Sequence, residues 1–496
     1  MFVLFNKLFL LFAPFLVEII LCFLIFLLIF IYMKNIYLSK IKIKLHNDNF
    51  ILEFFTFFLF FSVIYLLYFC IKDIEIFLYA DKLFMMETNN LIIKIFLLLQ
   101  FCILCMLWPT TKLLANIKVT LKLLILLLFA LLGLCIAVDA RDLVLLYIGI
   151  ELASIPIYIL VSNKEFMISI EAGIKYYILG AISSFFFLLG VSLIYGLTGT
   201  TLYNVLYIVE LYAENTNNFY MFFIFIFLIV LFLFKIGLYP FNFWVTNFNE
   251  GASLNVVFFL SVIPKLPYIY ILILLFFNIF NVSCIPQLYI IVFLIVSAFI
   301  TIFISIIEGL SDNHIGRIIG QSSMINMSFI FIVLVCLSII QEAFFFFLFM
   351  FYIIPTLLLF NLLSLKNITL IKRDFVVMYD LFLVNNYITI LLYFTLVSLS
   401  GLPFLAGFIA KWYIFKLLIS YNYILVVVLL IIASIFVNIF YIRIFFFILN
   451  RVRFNNTKIK RENFNKYLLL TILSFINFSL ILLQEPLLGS LLCLYL

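Results

Sequence analysis

The sequence predicts an all-α polytopic membrane protein with about fourteen transmembrane helices. Three observations predict it. Of the 496 residues, 68% are hydrophobic, 20% aromatic and only 10% charged, so the chain cannot supply the polar skin of a soluble fold. Apolar windows long enough to cross a bilayer recur along its length. The basic residues gather in alternate loops, which is how a membrane orients a chain. Secreted, cytosolic and nucleic-acid-binding classes are excluded, because the net charge of +7 follows one side of a membrane and forms no nucleic-acid footprint.

In chain order the windows fall at 7–33, 51–71, 92–108, 119–138, 143–161, 169–196, 220–246, 252–278, 286–307, 317–339, 343–365, 381–415, 421–449 and 467–486. The first is too long for a cleaved signal and lacks a small-residue cleavage site, so it is read as a retained span. The segment 381–415 is too long for one straight crossing, and Gly401-Leu402-Pro403 interrupts it. Heavy use of Phe, Ile, Leu, Tyr and Asn points to an AT-rich coding genome, a hint of an organelle.

Orientation follows from the short loops. Those after spans 1, 3, 11 and 13 carry Lys34, Lys40, Lys42 and Lys44; Lys112, Lys118 and Lys122; Lys366, Lys372 and Arg373; and Arg451, Arg453, Lys458, Lys460, Arg461 and Lys466. Together they hold 16 of the 29 basic residues. Even-numbered loops are acidic by contrast, with Asp73, Glu75, Asp81 and Glu87 after span 2, Asp139 and Asp142 after span 4, and Glu210 and Glu214 after span 6. The asymmetry places the odd loops inside and both termini outside.

An ionisable side chain at the bilayer centre costs from about 3 to more than about 10 kcal/mol. Four nevertheless stand out: Glu151 in LLYIGIELASIPIYIL, Lys235 in FLIVLFLFKIGLYPFNFW, Lys265 in FFLSVIPKLPYIYIL and Lys411 in SLSGLPFLAGFIAKWYIF. The bland alternative is a snorkelling or paired structural charge, and Lys94, Lys416 and Arg443, near span ends, are assigned to it. Glu18 is treated as structural. Three mid-span lysines facing one mid-span acid do not form balanced pairs, which favours a functional reading.

Helix breakers accompany each lysine: Gly237 and Pro240 beside Lys235, Pro264 and Pro267 around Lys265, and Gly401 and Pro403 before Lys411. Proline removes an N–H and frees carbonyls, and lipid tolerates this only where protein or water satisfies them. Breaks beside buried lysines therefore imply hydrated cavities. In such a place burial disfavours an ammonium and a carboxylate favours it. At about 4 Å the attraction is about 4 kcal/mol for an effective dielectric near 20, enough to load and unload a proton. Arginine would not serve, because it keeps its proton. Gly-Leu-Tyr-Pro-Phe at 237–241 also echoes Gly-Leu-Pro-Phe at 401–404, on spans of opposite direction, as in the inverted repeats of transporters.

Other chemistry is thin. Cys102 and Cys105 form a C-x-x-C inside an apolar run and read as packing. His46 and His314 make no metal set, and no Gly-rich nucleotide loop is present.

At RDLVLLYIGIELASIPIYIL, IEAGIKYYILGAISSFFFLLGVSLIYGLTG, FKIGLYPFNFWVTNFNEGAS, FLSVIPKLP, GRIIGQSS and SLSGLPFLAGFIAKWYIF, the chain resembles the antiporter-like membrane subunits of respiratory complex I. The E-L-x-S-x-P and K-Y-x-x-L-G-A pieces are the most specific, and the resemblance covers most of 140–415. It implies two inverted five-helix repeats with broken seventh and twelfth helices. The repeats would be 119–278 and 286–449, preceded by three helices in 1–118 and followed by a basic loop and last helix in 450–496. It implies a proton relay in which Glu151 pairs with Lys235, Lys265 stands at the centre and Lys411 exchanges protons with the outer side, with Lys175 as an accessory. It further implies no cofactor or metal in this chain, other membrane-arm subunits and lipids as partners, and a mitochondrial inner membrane or its bacterial or plastid counterpart. Coupling would be to NADH:ubiquinone oxidoreduction elsewhere in the complex.

Several positions depart from the family. Asn242 and Asn326 stand where it often has histidine, and Glu250-Gly251-Ala252-Ser253 replaces its E-G-A-P, so water or hydroxyls must bridge the path between stations. A stand-alone or multisubunit cation/proton antiporter and a helical scaffold without transport remain as rival readings. A reporter fused at residue 496 is expected on the outer face of the membrane; an inside location would mean an odd number of crossings.

Overall fold

Runs of Leu, Ile and Phe unbroken by glycine or proline propagate as helix, and a helix apolar on all sides is stable only inside a membrane or a protein core. The computed structural model describes residues 16–40, 59, 62–63, 77–79, 84–86, 88–107, 117–162, 167–203, 218–275, 285–336, 341–364, 386–403, 405–450, 471, 474 and 477. They fall into two units, Met1–Asn163 with Val191–Leu211, and Lys164–Gly190 with Tyr212–Leu496. The expected spans 51–71 and 467–486, and the basic loops after spans 11 and 13, lie almost wholly outside the described residues.

The first unit contains α1 (Leu16–Lys40), α2 (Thr88–Leu107), α3 (Ile117–Asp139) and α4 (Leu143–Val161). The all-helical expectation needs one amendment here: β1 (Phe77–Tyr79) and β2 (Phe84–Met86) pair antiparallel ahead of α2. The α3–α4 turn is tight because Asp142 caps α4, its Oδ1 accepting from the Val144 N–H at 3.0 Å. Along the α3–α4 interface Gly133 and Ala137 face Gly149 and Ala153. Four-residue spacing of small side chains on both helices lets the backbones touch, the usual way membrane helices gain dispersion energy.

The second unit begins with most of α5 (Met167–Thr198), whose last turns belong to the first unit. It continues with α6 (Asn218–Ile236), α7 (Phe243–Gly251), α8 (Leu254–Val262), α9 (Lys265–Ile273), α10 (Ile285–Ser311), α11 (Ile315–Cys336), α12 (Gln341–Ser364), α13 (Asn386–Ser400), α14 (Ala406–Ser420) and α15 (Ile424–Asn450). From 256 to 273 the α8–α9 stretch is buried throughout, whereas α15 presents Leu425, Val428 and Ile435 outward. One end of the unit is tied by charge. Arg317 bonds Glu250 at 2.6 Å and Asp312 at 3.4 Å, Gln321 donates to Asp312 at 2.7 Å, and Arg443 reaches the Leu310 carbonyl and Asn313. Glu250 is thereby a clamp between α7 and α11.

Seven stretches of described helix are long and apolar enough to cross a membrane. Expected and observed limits coincide at 143–161 and differ by two residues or fewer for the spans beginning at 119 and 169. Three expected spans are divided. The 220–246 window ends as helix at Ile236 and resumes at Phe243, and 381–415 becomes α13 and α14. In 252–278 the chain only kinks. Ile263 and Pro264 keep right-handed helical angles, so Lys265 lies at a bend where a break was expected.

Added bulk should separate α3 from α4. A Cβ on Gly149 would lie 2.8 Å from the Ala137 nitrogen, so Gly149→Leu is expected to cost at least about 1–3 kcal/mol, read as a lower unfolding midpoint of the detergent-purified protein.

Candidate functional site

The site is built around the two breaks. At the first, α6 stops because Gly237 adopts φ +88°, and the N–H groups of Gly237 and Leu238 turn back to the Leu233 carbonyl at 3.0 and 2.8 Å. At the second, Gly401 adopts φ +76°, and the N–H groups of Gly401 and Leu402 turn back to Val397 at 3.2 and 3.3 Å. The echoed pentapeptide and tetrapeptide thus close their helices with one hydrogen-bond pattern, the left-handed glycine stop.

Each break leaves carbonyls in need of a donor, and the following half-helix supplies one. The Trp244 indole of α7 donates to the Phe234 carbonyl at 3.0 Å, within a cluster with Tyr176, Phe234 and Phe248. At the second break the donor is Lys411 itself, whose ammonium bonds the Ser400 carbonyl. A cation at a helix C-terminus also meets the negative end of the helix dipole. Space for this contact depends on Gly401, since a Cβ there would lie 2.6 Å from Lys411 Cδ.

All three lysines are buried. Lys235 packs with its Nζ 5.6 Å from the Phe234 ring centre. Lys265 donates to Ser323 Oγ at 3.2 Å, and the Ser323 hydroxyl in turn donates a hydrogen bond to the Gly320 carbonyl at 2.7 Å. Tyr352 donates its hydroxyl to the Ser261 carbonyl at 3.4 Å. Tyr352 also lines a cavity of about 40 Å³ whose walls include Asn326, Phe329, Ser398 and Lys411. That volume has room for a few waters at most. Lys265 is thus bonded to one hydroxyl, and Lys411 opens onto a small, mostly apolar hollow that the Tyr352 side chain also lines.

Asn242 and Asn326 lie at the first break and at the cavity. Asn242 is buried at the first break, where its Oδ1 has no hydrogen-bond partner among the described residues; Asn326 faces the cavity. Glu151 belongs to the first unit, and its Oε2 accepts from Ser154 Oγ at 3.0 Å. Lys175 is half exposed and pairs with Glu171 one turn away at 2.5 Å, which sets it apart from the buried lysines. Ser323 and Tyr352 were not singled out from the sequence. A serine in SSMINMSF and one tyrosine among 28 carry no signal without the fold.

Residues 140–437 match the family described as the transmembrane part of NADH:quinone oxidoreductase and Mrp antiporters. The chain belongs to this family. Its relatives include subunit N of the NADH-quinone oxidoreductase of Pelagibacter ubique, 30% identical over 333 residues, 64% of this chain and 67% of the relative. Another is NADH-ubiquinone oxidoreductase chain 2 of Dictyostelium discoideum, 27% identical over 66% of this chain and 67% of that one. The fold is similar to a chain in respiratory complex I from Thermus thermophilus, with a TM-score of 0.77, 20% identity and coverage of 96% and 99%. It is equally similar to one in an archaeal membrane-bound sulfane sulfur reductase, with a TM-score of 0.79, 18% identity and coverage of 96% of each chain.

Gly401→Ala should damage the second break. The positive φ disfavours an L-residue by about 1–2 kcal/mol and the methyl presses on Lys411, so a lower unfolding midpoint is expected. Gly196→Ala, whose Cβ would meet open space, should leave the midpoint unchanged or raise it.

Proposed function

We propose that the chain is a proton-translocating membrane-arm subunit of respiratory complex I, of the subunit N or chain 2 kind, without redox chemistry or a cofactor of its own. The observation that carries this reading is the burial of Lys235, Lys265 and Lys411, the second bonded to the Ser323 hydroxyl and the third beside a cavity that Tyr352 also lines, in a chain of this family. Each hydroxyl can accept and donate a proton, and a lysine can release one, so the set has the parts a proton wire needs. Glu151 and Lys235 form the input pair of the relay, Lys265 is its centre and Lys411 its outlet, with Lys175 outside the main line.

The matched glycine stops at 237 and 401 support two inverted five-helix repeats, 119–278 and 286–449, within a fourteen-helix protein. Its partners are the other membrane-arm subunits and lipid. Its place is the inner mitochondrial membrane, with both termini on the intermembrane-space side, a reading supported by the basic odd-numbered loops and the chain 2 relatives. The family also spans Mrp antiporters, so the second reading is a cation/proton antiporter subunit. Co-migration with flavin and iron–sulfur subunits on a mild native gel separates the two.

Alanine at Lys235 or at Glu151 is expected to lower NADH-driven proton uptake into membrane vesicles by about tenfold or more while the complex still assembles on the gel. Normal pumping in both variants would remove these residues from the relay.

A further inference from the structure

A second buried charge cluster lies in the first unit, and the relay makes no use of it. Lys94, expected to snorkel from a span end, is instead 0% exposed. Its ammonium bonds Glu18 Oε1 at 2.6 Å and also Asp139 Oδ2. Asp139, expected in the loop after span 4, is the last residue of α3 and is buried there. The start of α1, the start of α2 and the end of α3 are thereby pinned together, the arrangement required if α1 and α2 cross in the same direction and α3 in the opposite one.

The charges do not balance. Two carboxylates against one ammonium would leave a net negative charge among apolar helices, and an uncompensated buried charge is costly. The second oxygen of each acid, Glu18 Oε2 and Asp139 Oδ1, is buried without a hydrogen-bond partner among the described residues. Among the described residues, the other groups that interact with these charges are the thiols of Cys22, one turn beyond Glu18, and Cys135, one turn before Asp139. Neither is a cation. From α4, the helix packed along α3, the interface contributes Gly149 and Ala153.

We infer that Glu18, Lys94 and Asp139 form a proton-binding site, in which one exchangeable proton resides on Asp139 and makes the cluster neutral. The end of α3 selects the acid. Asp139 is the last residue of α3, where the helix dipole opposes an anion and favours the neutral acid. Loading forms one O–H bond at Oδ1 from a proton delivered by water, and unloading breaks that bond; no other reactant is required.

The test is infrared difference spectroscopy of native membranes containing the full-length protein, perfused between acidic and alkaline buffers. The wild type should show a protonated-carboxyl C=O band that shifts in D₂O. Asp139→Asn should abolish it. Glu18→Gln should abolish it too, because Asp139 then becomes the sole counter-charge of Lys94 and ionises. If both variants accumulate and keep every carboxyl band, both acids are ionised, the cluster is an ion-pair clamp, and the inference fails. Should Asp139→Asn not accumulate, Asp139→Glu decides. It retains an acid, so the band must persist at a changed frequency, and an unchanged frequency overturns the assignment.

Discussion

Inside lipid no water is available to complete a peptide group, so a helix that stops there must find donors within the protein for the carbonyls it exposes. The second unit is arranged around that constraint. Gly237 and Gly401 turn the chain, the N–H of each glycine and that of the residue after it fold back, and a side chain from the following half-helix closes the remaining gap. Trp244 does this with an indole that cannot carry charge; Lys411 does it with a group that can. The aromatic packing of Tyr176 and Phe248 follows from the need to hold Trp244 over Phe234, and the glycine at 401 follows from the room Lys411 requires.

Much of this architecture was legible in the amino-acid order because apolar runs bounded by charge have sharp edges, as at 143–161. The two breaks were legible as glycine–proline pairs. What distinguishes a break from a bend was also there in principle: 237 and 401 offer a glycine able to take positive φ, whereas Pro264 has none beside it and the helical path continues through Ile263. The facing Gly133-x-x-x-Ala137 and Gly149-x-x-x-Ala153 could have identified the α3–α4 contact. The donors that seal the breaks could not be read, because an indole ten residues past its acceptor has no local pattern.

Charge was the harder part. Lys94 stands close to a helix start, where a long side chain normally reaches water, and only tertiary placement reveals partners 76 and 45 residues away. Asp139 ends a hydrophobic window, and such an acid ordinarily belongs to a loop. In both cases position along one helix argued for solvent, while the neighbouring helices had already excluded it. The hydroxyls of Ser323 and Tyr352 belong to the same class of silent residue, ordinary in composition and informative only through what they touch.

The bond from Lys411 to the end of α13 makes side chain and main chain parts of one latch. Any displacement of the ammonium from this bond would leave the Ser400 carbonyl without its donor, and the terminal turn of α13 would have to recruit a water or unwind. Local electrostatics is thereby geared to backbone shape, so a displacement of one nitrogen can be felt along a whole half-helix.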